Sequence, residues 1–298
     1  MLRVQTVTIA SRNDDFQVLV SLKTNRQKRT KRRQVFVEGV AIINQLVRAG
    51  LRVEAVAYAA DTAGGRRDGT RPRTGSLSDW AKHVIAATSP SVCYELAAEL
   101  MRDLSDRENP SELIVVARRP DNRLPDDEAS PGDLVVVLDR PASPGNLGSA
   151  IRSCDAFGVD LVIVTGHASD IWDPQCLRAS LGAVFSVPTV HEPSSRRLIG
   201  WLDSQRLARP GFRVLGTDSG GELAIDSASV TVPLAVVFGN EATGLSQTLR
   251  EYVDAVVSIP MRGSVNSLNL AAALSITVYE IDRRRRDVSA AGRVPIQR

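Results

Sequence analysis

The chain contains few residues of several types, and each scarcity argues against a class of protein. Its three cysteines, Cys93, Cys154 and Cys176, show no paired spacing, and with three histidines they suggest neither a disulfide framework nor a zinc site. No apolar run approaches the roughly 18 residues that a membrane span needs, and no charged segment precedes an apolar one as in a secretion signal. Aromatic residues make up 4% of the chain, which predicts aliphatic cores. We therefore expect a cytoplasmic protein that binds no metal and enters no membrane.

The 298 residues, 43% of them hydrophobic, are enough for two domains with separate cores. Residues 1–120 alternate helical and strand patterns, which predicts a small α/β domain with a mostly parallel or mixed sheet. Residues 121–133 are rich in proline and acidic residues without periodicity, so we predict a linker. Residues 134–286 alternate strand and helix throughout and predict a doubly wound parallel sheet. Its apolar strand cores lie at Val135, Val162, Val214, Val236 and Val256. Residues 287–298 are expected to form a flexible tail.

Basic residues are concentrated in three runs, although the net charge is only +3. Seven of the eleven residues from Lys23 to Arg33 are basic, in what we interpret as a turn before a short strand, Gln34 to Glu38. Two further runs are Gly64 to Arg73 and Arg283 to Arg286. Such clusters are typical of phosphate-backbone contact, and the alternative is a solvated face. The first run lacks the acidic partners of a salt-bridged helix, so we predict RNA contact there. The residues concerned are Lys28, Arg29, Lys31, Arg32 and Arg33.

Three segments share one pattern, an apolar strand that runs into a glycine-containing polar loop. They span Leu134 to Gly166, Leu234 to Ser246 and Ile259 to Ala273. Glycine allows the backbone to approach a ligand closely, and the third segment continues into a helix behind Ser267 and Asn269. Loops of this kind, packed together, can hold a nucleoside through backbone N–H and C=O groups.

In order, these segments resemble the three motifs of the SpoU (TrmH-like) RNA ribose methyltransferases. The resemblance covers Leu134 to Arg283, and the phrase DRPASPGNLGSAIRSCDAFG is similar to the subgroup that contains the avilamycin-resistance ribosomal RNA methyltransferase. The matching positions are Asn146, Gly148, Arg152, Gly239, Glu241, Gly244, Pro260, Met261, Gly263, Ser267, Leu268 and Asn269.

The resemblance implies S-adenosyl-L-methionine as the methyl donor, a homodimer, and a SPOUT domain whose C-terminal segment forms a trefoil knot. General chain rules disfavour knots, so that expectation depends on the family. The first domain resembles the L30-like RNA-binding domain found before the catalytic domain in many family members. Gly239 is expected to leave no room for a side chain beside the adenosyl group, and the alternative for such positions is ordinary turn geometry. The positions implied in donor binding are Thr217, Gly239, Asn240, Ile259, Met261 and Leu268.

On the acceptor side, the resemblance assigns Arg152 to the ribose 2′-hydroxyl. A guanidinium stays protonated in almost any environment, so we expect its charge to stabilise the developing alkoxide and hold the neighbouring phosphate. Asn146, Ser267 and Asn269 would orient the same atoms. Glu241 could accept a proton or brace Arg152. The alternative for Arg152 is a salt bridge on a helix surface.

Other functions remain open at this point. Ribosomal RNA is the expected substrate, with transfer RNA as the alternative and a non-catalytic RNA-binding protein as a different class. A dinucleotide-dependent oxidoreductase does not fit, because GNLGSA lacks the G-x-G-x-x-G spacing and its loop carries a Pro/Ser insertion. Arg178 and Ser180 could hold a phosphate or belong to a capped core helix.

Overall fold

The computed structural model of this chain divides into two compact units. The first comprises Met1–Asp121 together with Trp172–Phe185, and the second comprises Asn122–Ile171 and Ser186–Arg298. The structure describes residues 5–60, 77–105, 107, 109–121, 123–125 and 131–291, with side chains described to residue 287. The predicted basic loop from Gly64 to Arg73 lies outside these residues, as do parts of the predicted linker and of the predicted tail. The predicted domain bounds stay a prediction.

The first unit contains a mixed sheet with the strand order β1-β4-β3-β5-β2. Strands β2 and β3 pair with β5 in antiparallel fashion, whereas β4 pairs with β1 and β3 in parallel. Numbered along the whole chain, the strands of this unit are β1 (Gln5–Ile9), β2 (Gln34–Glu38), β3 (Val53–Ala59), β4 (Val92–Leu96) and β5 (Ile114–Arg118). Its helices are α1 (Asp14–Thr24), α2 (Arg26–Arg32), α3 (Val40–Arg48), α4 (Asp79–Thr88), α5 (Ala98–Leu104) and α7 (Pro174–Ala179).

The basic run that we interpreted as a turn is the helix α2. The side chain of Asn25 caps its first turn by accepting a hydrogen bond from the backbone N–H of Lys28 at 3.0 Å. The helix ends at Arg33, whose φ of 54° is left-handed. The turn prediction was therefore wrong, because one asparagine serves both as the end of α1 and as the cap of α2.

A segment from the middle of the chain belongs to this first unit. Helix α7 and the 3₁₀ turn Ala183–Phe185 pack with β2 and α3, respectively. Between them Gly182 has a φ of +85°, and a Cβ there would lie 2.9 Å from the Cβ of Gln45. The buried Ser180 hydroxyl donates to the carbonyl of Leu177 at 3.0 Å, so this residue belongs to the end of a core helix.

The second unit is built on a parallel sheet with the strand order β10-β12-β9-β11-β6-β7-β8. The predicted parallel sheet is confirmed, and the central strands are apolar and buried because helices cover both faces. The strands are β6 (Leu134–Asp139), β7 (Leu161–Thr165), β8 (Thr189–Glu192), β9 (Arg213–Thr217), β10 (Leu223–Ala224), β11 (Leu234–Phe238) and β12 (Ala255–Ser258). The helices are α6 (Pro144–Ala156), α8 (Ser195–Ala208), α9 (Gln247–Tyr252) and α10 (Leu270–Ala291).

The carboxyl ends of β6, β9, β11 and β12 meet at one edge of this sheet, where ligands of open α/β sheets commonly bind. All three loops of the sequence pattern follow one of these strands. Within the described part of the chain, no helix combines the length and apolar character that crossing a membrane requires.

Candidate active site

A cavity of about 410 Å³ opens at this edge of the second unit. Its volume falls in the range of small-molecule and cofactor sites. Glu241 of the second loop and Ser267 of the third loop both line this cavity, so two loops that are far apart in sequence meet here. All six positions assigned to the donor lie in its wall, namely Thr217, Gly239, Asn240, Ile259, Met261 and Leu268.

The second loop forms a tight turn from Gly239 to Gly244. The backbones of Asn240 and Gly244 exchange two hydrogen bonds of 2.9 Å, and Gly244 has a φ of +65°. A Cβ on Gly239 would lie 2.2 Å from the carbonyl carbon of Gly244. The expectation that a ligand excludes a side chain at Gly239 was therefore wrong in its reason, because the turn's own backbone occupies that space.

The side chain of Asn240 also organises the turn. Its Oδ1 accepts hydrogen bonds from the backbone N–H groups of Ala242 and Thr243, at 2.9 and 3.1 Å. Its Nδ2 donates to the carbonyl of Arg140 at 2.7 Å. Asn240 thus shapes the cavity wall by holding the backbone of the turn, and its assignment to the donor stays a prediction.

Three of the predicted acceptor-side residues form a continuous chain of hydrogen bonds. The Nδ2 of Asn269 donates to the Oδ1 of Asn146 at 2.9 Å, and the Nδ2 of Asn146 donates to the Oε1 of Glu241 at 3.0 Å. The backbone N–H of Ala142 donates to the other oxygen of Glu241 at 3.1 Å. Asn269 also caps α10 by accepting from the N–H of Ala271 at 2.9 Å. Each of the three motif loops thus contributes one residue to this chain of hydrogen bonds.

The hydrogen bonds to Glu241 decide its protonation. Burial would raise the pKa of this carboxyl group, but the bonds donated by the Asn146 amide and by the backbone N–H groups of Ala142, Glu241 and Ser143 outweigh burial and lower its pKa. Glu241 is therefore a carboxylate at neutral pH and a weak base. The sequence left two roles open for Glu241, a proton acceptor or a partner that holds Arg152. The structure shows neither role; instead, Glu241 accepts hydrogen bonds from Asn146 and from the loop before α6.

Arg152 is an exposed residue of α6, six positions after Asn146 on the same helix. Among the described residues it makes no ion pair, so the alternative of a helix-surface salt bridge is not seen there. Ser267 is exposed at the rim of the cavity. The assignments of both residues to the acceptor stay predictions.

The predicted RNA contacts in α2 do not all fit the structure. Arg29 is 2% exposed, and its guanidinium donates to the carbonyls of Leu22 and Lys23, each at 3.0 Å, and to Asp173 at 3.1 Å. The inclusion of Arg29 among the RNA-binding residues was therefore wrong. The other four members of the group, Lys28, Lys31, Arg32 and Arg33, are exposed, and Arg33 pairs with Asp121 at 2.9 Å.

The basic run at the end of α10 is also engaged within the protein. Arg283 and Arg284 both pair with Glu280, and Arg286 pairs with Asp282 at 3.0 Å. Arg284 further donates to the carbonyls of Ala228, Ile225 and Asp226. This run lies on a salt-bridged helix face, which favours the alternative of a solvated face over phosphate contact.

Sequence reasoning missed two residues of this edge, Asp139 and Arg140. Asp139 is the last residue of β6 and Arg140 follows it; the two form a bidentate ion pair, and Arg140 donates to the Gly239–Gly244 turn. A charged pair directly behind a fully apolar strand is the signal that pointed to them.

The comparisons with known proteins agree with this geometry. A model of the SpoU rRNA Methylase family matches residues 133–279, and a model of the SpoU L30e-like domain matches residues 13–115. The chain is 37% identical over 278 residues to a 23S rRNA (uridine(2479)-2′-O)-methyltransferase of Streptomyces viridochromogenes, covering 93% of this chain and 92% of that relative.

Two solved structures extend the likeness to the fold. The SpoU methyltransferase AviRb from Streptomyces viridochromogenes, in complex with the cofactor AdoMet, is similar with a TM-score of 0.79 and 34% identity over 92% of this chain and 100% of that one. An AdoMet-bound rRNA methyltransferase from Sinorhizobium meliloti is similar with a TM-score of 0.79 and 25% identity, over 94% of this chain and 98% of that one. With sequence, fold and the three motif loops in agreement, this chain belongs to the SpoU rRNA methylase family.

Proposed function

We propose that this chain transfers a methyl group from S-adenosylmethionine to a ribose 2′-hydroxyl of 23S ribosomal RNA. The proposal rests mainly on one observation: the cavity and a chain of hydrogen-bonded polar side chains lie at the same edge of the sheet. The cavity is lined by all six positions assigned to the donor, and the Asn269–Asn146–Glu241 chain involves Glu241 of the same wall.

The residues of the cavity suit such a donor. Its lining combines apolar side chains, among them Ile225, Leu268 and Leu270, with backbone from the Gly239–Gly244 turn. A nucleoside needs this combination of an apolar slot for the base and N–H and C=O groups for its polar edge. S-adenosylmethionine, when bound, supplies a methyl group on a sulfonium that is a good leaving group.

The protein's own residues then have to position and stabilise the acceptor. Asn146 and Asn269 are held in one orientation by Glu241, so their amides can fix a ribose with little motion. The Arg152 guanidinium stays charged and stabilises the alkoxide that develops as the 2′-hydroxyl loses its proton to water. Because Glu241 has a lowered pKa, it acts as a fixed anion that orients donors and takes no proton.

The first unit supplies a surface for the RNA backbone. Arg119 donates from its backbone to the carbonyl of Arg33 at 2.7 Å, and Arg118 donates to that of Arg52 at 2.8 Å. These four arginines come from three separate segments, and two of them adjoin α2: Arg33 follows the helix directly, and Arg119 donates to the Thr30 hydroxyl at 3.4 Å. The ion pair of Arg33 with Asp121 is exposed, and that of Arg118 with Glu54 is 3.7 Å long and partly exposed, so both are weak and a phosphate can replace the carboxylates.

Three finer properties follow from family membership and belong to the same proposal: a homodimer, a trefoil knot in the second unit, and a cytoplasmic location. The homodimer is supported by exposed apolar side chains on α10, where Ile276 is 42% and Tyr279 is 48% exposed.

The test is methyl transfer from labelled S-adenosylmethionine to purified 23S and 16S ribosomal RNA and bulk transfer RNA, followed by mapping of the 2′-O-methyl position. We expect label in a single 23S nucleotide. Label in transfer RNA alone would favour the alternative substrate. RNA binding without methyl transfer, by a chain that binds the donor, would favour a non-catalytic protein.

A further inference from the structure

Arg140 stands in a backbone conformation that does not suit an arginine. It follows β6 directly and has a φ of 54°, in the left-handed region that glycine adopts most easily. A non-glycine residue persists in such a conformation only where its surroundings hold it, and such positions are often functional.

The Arg140 guanidinium joins two parts of the candidate site. It forms a bidentate ion pair with Asp139, from Nε to Oδ1 and from Nη2 to Oδ2, each at 3.0 Å. On its other side, Nη2 donates to the carbonyl of Gly244 at 3.0 Å and Nη1 donates to the Thr243 hydroxyl at 3.3 Å. Asp139 is 3% exposed and also accepts from the N–H of Ser246 at 2.7 Å, so the carboxylate is a fixed anchor.

The backbone of Arg140 reinforces this link. Its carbonyl accepts the 2.7 Å hydrogen bond from the Asn240 amide, and its N–H donates to the carbonyl of Thr165 at 3.0 Å. Gly166 has a φ of +71°, and a Cβ there would lie 2.6 Å from the Cγ of Arg140. The absence of a side chain at Gly166 therefore leaves space for the side chain of Arg140.

We propose that Arg140 is a positioning residue for the methyl donor. Clamped by Asp139, it fixes the Gly239–Gly244 turn against the end of β6. That turn forms part of the cavity wall and carries Glu241, which orients Asn146. One residue thus sets both the shape of the donor cavity and the origin of the acceptor-side hydrogen-bond chain. This inference depends on the proposed function for the identity of the ligand.

The decisive variant is Arg140→Gly, because glycine suits the left-handed backbone and removes only the side chain. We expect the dissociation constant of S-adenosylmethionine, measured by calorimetry, and its KM to rise roughly tenfold to a hundredfold, as small displacements of a binding group can cause. The affinity for RNA, which we assign to the exposed basic residues of the first unit, should stay close to that of the parent. The melting temperature should fall, because Asp139 is 3% exposed and loses its guanidinium partner. Guanidinium ion added at millimolar concentration should restore part of the donor affinity, since it can occupy the vacated site.

Arg140→Lys should give an intermediate donor affinity, because a single ammonium cannot serve Asp139 and the turn in the same fork geometry. The control is Arg197→Ala, which removes an arginine that is 75% exposed and 3.4 Å from Glu192; its donor affinity should equal the parent's.

Parent-like donor affinity in Arg140→Gly would overturn this assignment alone. So would a loss of affinity that added guanidinium does not restore although it restores the melting temperature, because Arg140 would then act on stability alone. Failure of the parent to bind S-adenosylmethionine would overturn the proposed function and this assignment together.

Discussion

The side chains of Asn146 and Asn269 are hydrogen-bonded at 2.9 Å across 123 residues of sequence. Asn146 lies in the first turn of α6 and Asn269 immediately precedes α10, so the pair ties two helix N-termini together. Glu241 accepts from Asn146 and thereby sets the direction of both amides. Residues linked in this way act as one unit, so the effects of their substitutions should not add.

Arg152→Ala should abolish methyl transfer and leave donor binding nearly intact. Arg152 lies outside the cavity wall, and the loss of one charge that stabilises a developing anion costs about a hundredfold to a thousandfold in rate. The measurement is the single-turnover rate beside calorimetry with S-adenosylmethionine. Arg196→Ala, which removes an exposed arginine of α8, is the control. Near-parental methylation by Arg152→Ala would show that Arg152 takes no part in methyl transfer.

The hydrogen bonds to Glu241 should make stability pH-dependent in acid. A carboxyl whose pKa is lowered in the folded state stabilises it fully above the unfolded pKa and loses that contribution as pH falls through the folded value. The usual value here is 4.5, so the loss begins below it. In Glu241→Gln an amide NH2 replaces one carboxylate oxygen and faces groups that themselves donate, so the substitution should cost about 1 kcal/mol near neutral pH.

The free energy of unfolding of the parent and of Glu241→Gln, measured by denaturant titration at a series of pH values, gives the difference that isolates this group. A difference that stays constant down to about pH 3 would show that Glu241 titrates without consequence.

Neutralising Lys28, Lys31, Arg32 and Arg33 together should weaken RNA binding and flatten its salt dependence. Each lost phosphate contact removes roughly 0.7–0.9 from the slope of log K against log salt. Donor affinity should not change. A smaller control set in α10, in which Arg283 and Arg286 are neutralised, should leave the slope as it was, because each of these arginines pairs with a carboxylate three or four residues earlier on its own helix. An unchanged slope after the α2 substitutions would show that these residues form a solvated face and do not contact RNA phosphates.

Arg29→Met should act on stability instead of RNA affinity. The substitution leaves Asp173, which is 28% exposed, without its guanidinium, and we expect a loss of about 3 kcal/mol in the free energy of unfolding. Lys28→Met, one residue away and exposed, should change stability by no more than about 0.5 kcal/mol. Denaturant melts of both proteins give the comparison. Equal stabilities would mean that the buried guanidinium is dispensable.

Mixed dimers test whether a site draws on two subunits. In the family, an arginine of one subunit can serve the donor held by the other, so Arg152 of one chain would face its partner's cavity. Co-expression of Arg152→Ala with a cavity-blocked chain should then restore part of the activity. Ala273→Phe is the better blocking variant, because Ala273 lines the cavity whereas a side chain on Gly239 would break its own turn. Verified heterodimers without activity would place each site in a single chain.

The sequence predicted the residues that line the cavity better than it predicted the surroundings of the charged residues, for physical reasons. Glycine turns behind apolar strands depend on local conformation, so the Gly239–Gly244 loop could be found by pattern. The burial of Arg29 depends on Asp173, which is 144 residues away, and no local pattern distinguishes it from its exposed neighbours. The pairing of Arg284 and Arg286 was accessible, since Glu280 and Asp282 lie four residues earlier on the same helix. The use of Asn240 within its own turn required the three-dimensional structure.

The segment Trp172–Phe185 makes the folding of the first unit depend on how far synthesis of the chain has advanced. Because this stretch packs with residues that precede it by more than a hundred positions, the amino-terminal part cannot complete its interior until Phe185 has left the ribosome. By then the strands β6 and β7 of the following unit have already emerged. A fragment cut at Asp121 would expose the surface that α7 covers and leave the Arg29 charge without its carboxylate. The two units therefore cannot be exchanged between relatives as independent modules by joining chains at the linker.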